Sequence, residues 1–378
     1  MQTLQIGNLE AKLPIIQGGM GVAVSLSGLA SAVANEGGIG IISSAGIGML
    51  LPGFAKNFQD ANKKALRREI RKARSMTDGI IGVNIMMALT DYEDHMIVAM
   101  EEGVDLIISG AGLPLKIPEI VLKDKAAENR TKFLPIVSSA KAASLIFRYW
   151  SNHFGVIPDG VVVEGPAAGG HLGFKKPQLS NPEYTLDKIV LQVVDTLMPL
   201  EEKFGKKLPV IAAGGIYTGE DMYNIMKQGA RGVQIATRLV PTDECDASLA
   251  FKEAYIHSSK EDLIVIDSPV GLPGRAIKNR FLEDVANGKK HPVNCPWKCL
   301  RSCDYKTAPY CISQALVNAA KGKLKNGFVF AGSNAWRTNK IQPVKAVLNE
   351  MIEEYNRAKI PLYRLPVNKY AEKNKAVI

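Results

Sequence analysis

The sequence has few cysteines and no long apolar run, and both absences limit where the protein works. Five cysteines in 378 residues do not make the dense disulfide framework of a small secreted protein. The most apolar stretch, 13–34, is interrupted by Gln17, by glycines and by three serines, so it is a poor membrane span. The first residues also lack the charged-then-apolar pattern of a secretory leader. We therefore expect a cytoplasmic protein with no membrane partner.

Two common ligand-binding motifs are missing as well. No H-E-x-x-H pair marks a zinc site, and no G-x-G-x-x-G turn follows the first strand pattern, which argues against a dinucleotide-binding fold. The net charge of +10 is compatible with a nucleic-acid partner. However, the densest basic cluster, 63–74, places Leu66, Ile70 and Ala73 on one helical face. This pattern indicates an amphipathic helix with a solvated basic side, and no nucleic-acid partner is expected.

What the sequence does contain is a repeat of short apolar strands, each running into small residues and usually a helix pattern. Eight such repeats are what a (β/α)8 TIM barrel requires. A doubly wound sheet is the alternative, because local patterns do not show closure. In either fold the carboxyl ends of the strands carry the site. The eight predicted strands span 13–17, 38–43, 80–84, 105–109, 133–137, 161–163, 209–213 and 232–235.

The pattern changes after the eighth strand. Long insertions without the repeat are commonly functional in compact domains, so the following segment is interpreted as a cap or lid over the barrel mouth. Two helix patterns, at 312–320 and 344–357, fall in this later part of the chain. The predicted organisation is a barrel over 1–237, a cap or lid over 238–340, and a C-terminal helix and tail over 341–378.

The turns after the seventh and eighth strands predict a phosphate site. In barrels these loops, together with a short helix start, commonly hold a phosphate. Gly214 and Gly215 expose backbone N–H groups, Thr237 offers a hydroxyl, and a helix beginning near 218–220 could add donors. A phosphate site beside eight glycine-lined strand ends suits a flat ring with a phosphate tail. Flavin mononucleotide (FMN) is therefore the predicted cofactor.

The loop after the sixth strand carries the predicted catalytic residue. Small residues fill 164–173 and let a flat ligand approach the backbone, with Gly169 and Gly170 directly before His171. An imidazole titrates near neutrality, so His171 can take or give the proton that accompanies hydride or electron-pair transfer. His95 lies in a helix pattern beside two acidic residues and is expected at the surface.

Four of the cysteines fall within one short segment of the predicted cap. Three intervening residues separate Cys295 from Cys299 and Cys299 from Cys303, and Cys311 follows after seven more. Four soft ligands suit an iron–sulfur cluster or zinc. The spacing matches neither a common ferredoxin pattern nor a paired C-x-x-C zinc site, so free thiols packed in the cap are the open alternative. Cys245 stands apart and is expected to be structural.

Several motifs resemble the nitronate monooxygenase (2-nitropropane dioxygenase) family, including the related flavin-dependent enoyl-ACP reductase II enzymes. The motifs lie at 14–20, 37–40, 82–84, 164–165, 168–173, 212–216 and 234–238. A second patch, 275–279 with 331–333, looks more like the reductase branch. One departure is Ala236, where the family usually has glycine before the threonine.

The resemblance implies a barrel that contains FMN, with His171 beside the reacting carbon as a base or substrate anchor. Gly18, Gly19 and Met20 would lie along the edge of the isoalloxazine ring, and Asn84 would hydrogen-bond the ring. The complete predicted set of cofactor residues is Gly18, Gly19, Met20, Asn84, Glu164, Gly169, Gly170, Ala213, Gly214, Gly215, Gln234, Ala236, Thr237 and Gly332.

The predicted function is an FMN-dependent oxidoreductase, first of all a nitronate monooxygenase that oxidises alkyl nitronates with flavin and O2. The first alternative is an NAD(P)H-dependent reductase of an enoyl thioester. It would take an acyl carrier protein as partner, whose phosphate-bearing arm could meet Arg275 and Lys278. An iron–sulfur cluster would favour this branch, because O2 chemistry beside a cluster is hazardous.

Two further alternatives remain open. A non-catalytic flavin protein that passes electrons would bind FMN without turning over either substrate. An isomerase or aldolase would need a lysine or paired carboxylates at the strand ends, where only Glu164 is found. In each enzyme reading the substrate is a small molecule, and a homodimer is compatible with the sequence.

Overall fold

The computed structural model describes residues 1–116, 131–291, 294–295 and 297–360. A hairpin opens the chain, formed by β1 (Leu4–Ile6) and β2 (Leu9–Ala11). Eight more strands follow among the described residues up to 213: β3 (Ile15–Gln17), β4 (Gly40–Ser43), β5 (Ile81–Met86), β6 (Leu106–Gly110), β7 (Lys132–Val137), β8 (Val161–Glu164), the two-residue β9 (Gly170–His171) and β10 (Val210–Ala213). The predicted eighth barrel strand, 232–235, is β11 (Gly232–Ile235).

Eight of these strands form one parallel sheet in the order β3-β11-β10-β8-β7-β6-β5-β4. Its two ends meet, because Ile16 of β3 pairs with Ile39, the residue before β4. The Gln17 amide donates to the Ile39 carbonyl and the Ile39 amide to the Ile15 carbonyl, each at 2.9 Å. The sheet is therefore a (β/α)8 TIM barrel, as predicted, and the doubly wound alternative is wrong.

Helices between the strands cover the outside of the barrel. They are α1 (Ser27–Asn35), α2 (Phe58–Met76), α3 (Tyr92–Glu101), α4 (Ala140–Phe154), α5 (Leu186–Phe204) and α6 (Gly219–Lys227). The basic cluster of the sequence lies on α2, where Arg67 and Arg71 form ion pairs with Glu102 at the end of α3. Within the described ranges, no helix combines the length and apolar character that crossing a membrane requires.

The barrel strands are apolar on both faces because both faces are buried. Val162 of β8 belongs to the inner core, whereas Val161 and Val163 pack outward against the helices, and all three have 0% exposure. This two-sided burial explains an unbroken valine run in place of an alternating pattern. Leu4 and Ile6 of the first hairpin pack into the same inner core.

The chain after the barrel adds both helices and a small sheet. Its elements are α7 (Leu249–Ile256), β12 (Leu263–Asp267), β13 (Pro273–Ile277), α8 (Arg280–Ala286), α9 (Ile312–Ala320), β14 (Val329–Phe330) and α10 (Val344–Lys359). Helices α9 and α10 confirm the two late helix patterns. Strand β13 pairs with β12, with β14 and with β9. The loop that carries His171 is therefore bound into the sheet of the later segment.

The C-terminal helix packs on the barrel. At Gly219, the first residue of α6, an added Cβ would lie 1.9 Å from the Met351 carbonyl of α10, so the two helices are in direct backbone contact. The Gly219 amide also donates to Glu354 Oε2 at 2.7 Å. The predicted tail beyond residue 360 lies outside the described residues.

Candidate active site

A cavity of about 520 Å³ lies at the carboxyl ends of the barrel strands. Every strand of the barrel contributes its last residue or the one after it: Gly18, Ser43, Met86, Gly110, Val137, Glu164, Ala213 and Ile235. This size falls in the range of small-molecule and cofactor sites. All fourteen predicted cofactor residues and His171 line this one cavity. The structure thus brings together residues from positions 18 to 332 of the sequence.

One wall of the cavity is built from glycines that leave no room for a side chain. A Cβ on Gly19 would lie 2.3 Å from the Cβ of Asn84. A Cβ on Gly332, which also lines the cavity, would lie 2.6 Å from Thr237 Oγ1. These close approaches place backbone directly against the cavity, as a flat ligand that stacks on the wall requires.

The predicted phosphate end has the backbone geometry that only glycine adopts readily. Gly214 and Gly215 have φ angles of +88° and +96°, a region that L side chains disfavour. The methyl group of Ala236 faces Gly18, where an added Cβ would approach it to 3.3 Å. The extra methyl of Ala236, relative to the usual family glycine, is accommodated because residue 18 has no side chain.

The start of α6 does not serve the phosphate end, and that expectation is wrong. The amides of Tyr217 and Thr218 both donate to Asp221 Oδ2 at 2.9 Å, in a capping box at the helix start. The Gly219 amide is bound by Glu354 from α10. These donors are used within the fold, and none of the three residues is among those that line the cavity.

A buried acceptor on the cavity wall is left for a ligand. Gln234 lines the cavity, and its Oε1 atom is buried without a hydrogen-bond partner among the described residues. Buried polar atoms are nearly always hydrogen-bonded, so an orphaned acceptor on a pocket wall indicates a missing donor. The ring N–H of a flavin is such a donor. Together with the glycine wall, this atom shows that the residues fit FMN.

His171 lies where the barrel meets the later segment. Its Nε2 atom is 2.7 Å from Ser268 Oγ, and its ring meets the Phe330 ring edge-on at a centroid distance of 5.0 Å. Its backbone is held by the pairing of β9 with β13, in which His171 lies opposite Gly274. Burial lowers the pKa of His171 to about 4. The imidazole is therefore neutral at physiological pH.

Glu164 is the second titratable group of the cavity. It is the last residue of β8 and lies beside Ala213 in the sheet. Burial raises the pKa of its carboxyl group to about 7. Near neutral pH the carboxyl is therefore partly protonated, and it can donate as well as accept a hydrogen bond.

Several residues from the later segment complete the site, and among them the sequence identified only Arg275, in a different role. Ser268 and Phe330 hold His171, and Tyr255 donates to the Phe330 carbonyl at 2.8 Å. Arg275 donates to the Pro166 carbonyl at 2.8 Å and also to the Ala168 carbonyl, which fixes the loop before His171. Only the 275–279 and 331–333 patches pointed to this part of the chain. Nothing local marked Ser268 as a partner of His171.

The expectation that Arg275 meets the arm of a carrier protein does not fit these contacts. Its guanidinium group is committed to loop carbonyls, and burial lowers its pKa. Lys278 is half-exposed and forms an ion pair with Glu283 at 3.3 Å. Arg275 thus supports the loop and does not offer its charge to solvent.

The expectation that His95 lies at the surface is also wrong. The side chain is fully buried, with Nδ1 at 3.0 Å from Ser44 Oγ and Nε2 at 3.3 Å from Asp91 Oδ2. Asp91 in turn accepts from Asn62 Nδ2 at 2.8 Å. The acidic neighbours that suggested exposure lie on the other face of α3, whose buried side carries Tyr92, His95 and Met96.

The four clustered cysteines line a second, small cavity in the later segment. The lining residues are Cys295, Cys299, Cys303 and Cys311 with Lys298, Leu300, Tyr305, Ala308, Tyr310 and Ile312. All four are free thiols. Among the described residues, no three His, Cys, Asp or Glu side chains are grouped so that they could hold a metal ion. The metal site thus stays a prediction. Cys245 is buried elsewhere, with its thiol 3.3 Å from the Val24 carbonyl.

The fold is a TIM barrel with its cavity at the carboxyl ends of the strands, and the family match makes the protein a TIM-barrel oxidoreductase. The chain belongs to the nitronate monooxygenase family, whose model matches residues 2–354. A probable nitronate monooxygenase of Staphylococcus aureus (strain JH9) is 28% identical over 305 residues, which cover 74% of this chain and 79% of the relative. A carboxyl-CoA dehydrogenase of Mycobacterium tuberculosis is 27% identical over 277 residues, covering 73% of this chain and 66% of the relative.

Solved structures are similar over nearly the whole chain. FabK from Thermotoga maritima is 29% identical with a TM-score of 0.69, and the match covers 92% of this chain and 94% of FabK. A nitroalkane oxidase of Streptomyces ansochromogenes has the same TM-score of 0.69 at 20% identity, covering 92% and 97%. The likeness to the nitroalkane oxidase, at 20% identity, shows the fold alone.

Proposed function

We propose that the protein is an FMN-dependent oxidoreductase whose first substrate class is an alkyl nitronate, oxidised with O2. The observation that carries this proposal is the convergence of fourteen predicted cofactor residues and His171 on one cavity. When bound there, FMN supplies the two-electron chemistry that no protein side chain provides. The task of the chain is to bind the cofactor, orient the substrate and manage the proton.

The cavity residues divide that task between them. Gly214, Gly215 and Thr237 would hold the phosphate, and Gln234 Oε1 would accept from the ring. The backbone at Gly19 would lie along the ring edge. These assignments follow from the positive φ angles, the orphaned acceptor and the lack of room for a Cβ at Gly19. These residues offer backbone N–H groups, a hydroxyl and a side-chain amide, and none of them carries a charge, so the phosphate would be held by neutral hydrogen-bond donors.

His171 is the group we assign to the substrate. Nε2 is engaged by Ser268, so Nδ1 is the ring nitrogen left for a substrate among the described residues. A neutral imidazole can accept the proton of a nitroalkane or donate a hydrogen bond to a nitronate oxygen. With its pKa lowered to about 4, it is a poor proton donor at neutral pH. The same low pKa makes the ring a weak base, so the role that fits a nitronate, which has already lost its carbon-bound proton, is a hydrogen bond to a nitronate oxygen.

Reduction of an enoyl thioester is the second candidate, and two of the similar proteins support it. FabK, an enoyl-ACP reductase, is 29% identical, and the mycobacterial relative is by its name a carboxyl-CoA dehydrogenase. The cavity wall formed by the later segment includes Leu272, Leu300, Leu316 and Phe330, an apolar surface that suits an acyl chain. In this reaction Glu164, with a pKa of about 7, would be the proton donor.

One anaerobic experiment tests both candidates. The purified protein is denatured to identify the released flavin, which we expect to be FMN and not FAD. Samples of the intact protein are then mixed without O2 with propyl nitronate, NADH or NADPH, and the visible flavin absorbance is followed. We expect loss of absorbance with propyl nitronate and none with either nicotinamide.

The other outcomes have distinct meanings. Loss of absorbance with a nicotinamide alone, and its return with an enoyl thioester, replaces the first candidate with the second. Binding of FMN without a response to any reagent indicates a non-catalytic electron-transfer protein. A colourless protein with no affinity for FMN contradicts the whole proposal.

A further inference from the structure

The four cysteines of the later segment share one enclosed space that the proposed function does not use. Cys295, Cys299, Cys303 and Cys311 come from a stretch of seventeen residues and all line the same small cavity. Cys299 is buried, with its thiol 3.2 Å from Ser313 Oγ, and Cys311 is the residue directly before α9. No disulfide joins any of them. Four free thiols that converge on one cavity are an unusual concentration of soft ligands.

The arrangement fits a cluster better than a single ion. A zinc ion needs its four ligands within about 2.3 Å of one point. No such grouping occurs among the described residues, as noted above. A [4Fe–4S] cluster is much wider than an ion, and its four thiolates bind at separate corners around a common core. Four thiols on the lining of one cavity can supply one ligand to each of those corners.

The cysteine segment has almost no regular secondary structure and is supported by side-chain packing, as where Trp297 stacks on Phe58 at a ring-centroid distance of 5.8 Å. Between α8 and α9, the residues described at 287–291, 294–295 and 297–311 contain no helix and no strand beyond isolated bridges. Its links to the barrel include the Thr90 amide to the Cys299 carbonyl at 3.2 Å and the Arg301 amide to the Ala88 carbonyl at 2.9 Å. Irregular segments of this kind are commonly fastened by a metal centre, whose binding energy becomes folding energy.

Positive charge is available to balance a cluster. Four thiolates give a [4Fe–4S] centre a net negative charge, which the protein must offset. Lys298 lines the cavity, and Arg301 lies close by along the chain, with its guanidinium carbon 4.7 Å from the centroid of the Tyr92 ring. No acidic residue is among those that line the cavity. The lining of the cavity therefore carries one positive charge and no negative charge, although Asp304 directly follows Cys303 in the chain.

The cysteine cavity adjoins the proposed FMN site. Cys299, Leu300 and Ile312 line both cavities. Ser313 and Leu316, which follow Cys311 on α9, also line the larger one. Whatever holds the four thiols therefore also fixes one wall of the active site.

We propose that Cys295, Cys299, Cys303 and Cys311 bind a [4Fe–4S] cluster that fastens this wall to the barrel mouth. The proposal rests on the shared cavity and the irregular segment, and it does not depend on the substrate of the FMN site. Four thiolates are soft ligands, and for this reason the proposed group is an iron–sulfur cluster.

The test begins with metal analysis of protein purified and reconstituted without O2. We expect about four iron and about four acid-labile sulfide per chain, with the broad visible absorbance of a cluster. Cys303→Ser should lose most of the iron and sulfide, whereas the matched control Cys245→Ser should keep both. About two irons, zinc without sulfide, or no metal after reconstitution would each overturn the proposal.

A second measurement tests the fastening role and separates it from the flavin. Wild-type protein is stripped with an iron chelator, which avoids variants that fail to fold, and its Tm and its cleavage by a protease between α8 and α9 are compared with the intact form. We expect Tm to fall by about 5 °C or more and cleavage to increase. Unchanged values would overturn the fastening role. FMN content is measured in the same samples. Protein that binds FMN but no iron would contradict the cluster and leave the proposed function standing. Protein that binds iron but no FMN would contradict the proposed function and leave the cluster standing.

Discussion

The active-site cavity has a side formed by the barrel and a side formed by the later segment, and the two differ in how far sequence patterns predict them. The barrel side is formed by the ends of eight strands. Each strand contributes its last residue or the next one, so the sequence pattern of a strand followed by small residues predicts these lining residues. The later segment supplies Ser268, Phe330 and Gly332 from a hairpin and a short strand that have no such pattern. The barrel side presents backbone and small residues, while the later segment supplies the groups that hold His171. The barrel therefore forms the body of the cavity, the later segment orients the catalytic side chain, and both contact His171.

The barrel and the later segment are joined by backbone hydrogen bonds between paired strands and not only by side-chain packing. Strand β9 pairs with β13, so Gly170 and His171 lie opposite Arg275 and Gly274. The Leu172 amide adds a bond of 2.8 Å to the Pro273 carbonyl. Backbone bonds of this kind fix the direction of a side chain more firmly than contacts of a mobile loop would. The predictions below test how the work is shared.

The largest effect is expected from the residue at the junction itself. His171→Ala should keep FMN and lose turnover by about 10²-fold or more, the usual scale for a positioned acid–base group. Turnover and flavin content are measured together. The control is His153→Ala, because His153 is exposed on α4 and does not line the cavity. Normal turnover by His171→Ala would remove this side chain from the mechanism.

A smaller effect is expected from the buried carboxyl on the barrel side. The folded pKa of Glu164, about 7, lies above its unfolded value near 4.5, so the folded protein retains a proton that the unfolded chain releases in this window. Stability therefore falls as pH rises from about 4.5 to 7. Glu164→Gln lacks this titration. Relative to wild type, the flavin-free variant should gain on the order of 2 kcal/mol between pH 4.5 and 8.

This gain is measured by denaturant unfolding of both proteins across the pH range. The titration of His171 is common to the two proteins and cancels in the difference. Parallel stability curves would show that the Glu164 carboxyl titrates as it does in water, and the burial argument would then fail.

The smallest effect is expected on the side of the later segment. Ser268→Ala removes the partner 2.7 Å from His171 Nε2, and a single hydrogen bond of about 1 kcal/mol corresponds to about a fivefold loss of turnover. Because the hydroxyl contacts the ring directly, the acid limb of the pH–rate profile should also move. Ser268→Thr keeps a hydroxyl and should restore both. A loss of turnover with an unmoved profile would make Ser268 a structural residue only.

Sequence patterns located the barrel well because its strands are local and buried on both faces. The predicted span 232–235 matches β11, and 133–137 differs from β7 by one residue. The same approach missed the small sheet over the mouth. Strand β9 has two residues and β14 has two, too short for any periodicity to be visible. His95 was misplaced because its sequence neighbours, and not its helical face, guided the interpretation.

The sequence by itself determined the eight strands, their glycine-lined ends and the choice of His171, whereas the closure of the sheet into a barrel was seen only in the structure. Each of the first three depends on a residue and its immediate neighbours: a β-branched run, a glycine, an imidazole after a strand. Only the tertiary structure decided which group holds that imidazole, where Arg275 places its charge, and that four cysteines share a cavity beside the active site. Those facts depend on contacts between residues as many as 109 positions apart, as between Arg275 and Pro166. No local pattern carries them, because they are set by how the later segment folds back on the barrel.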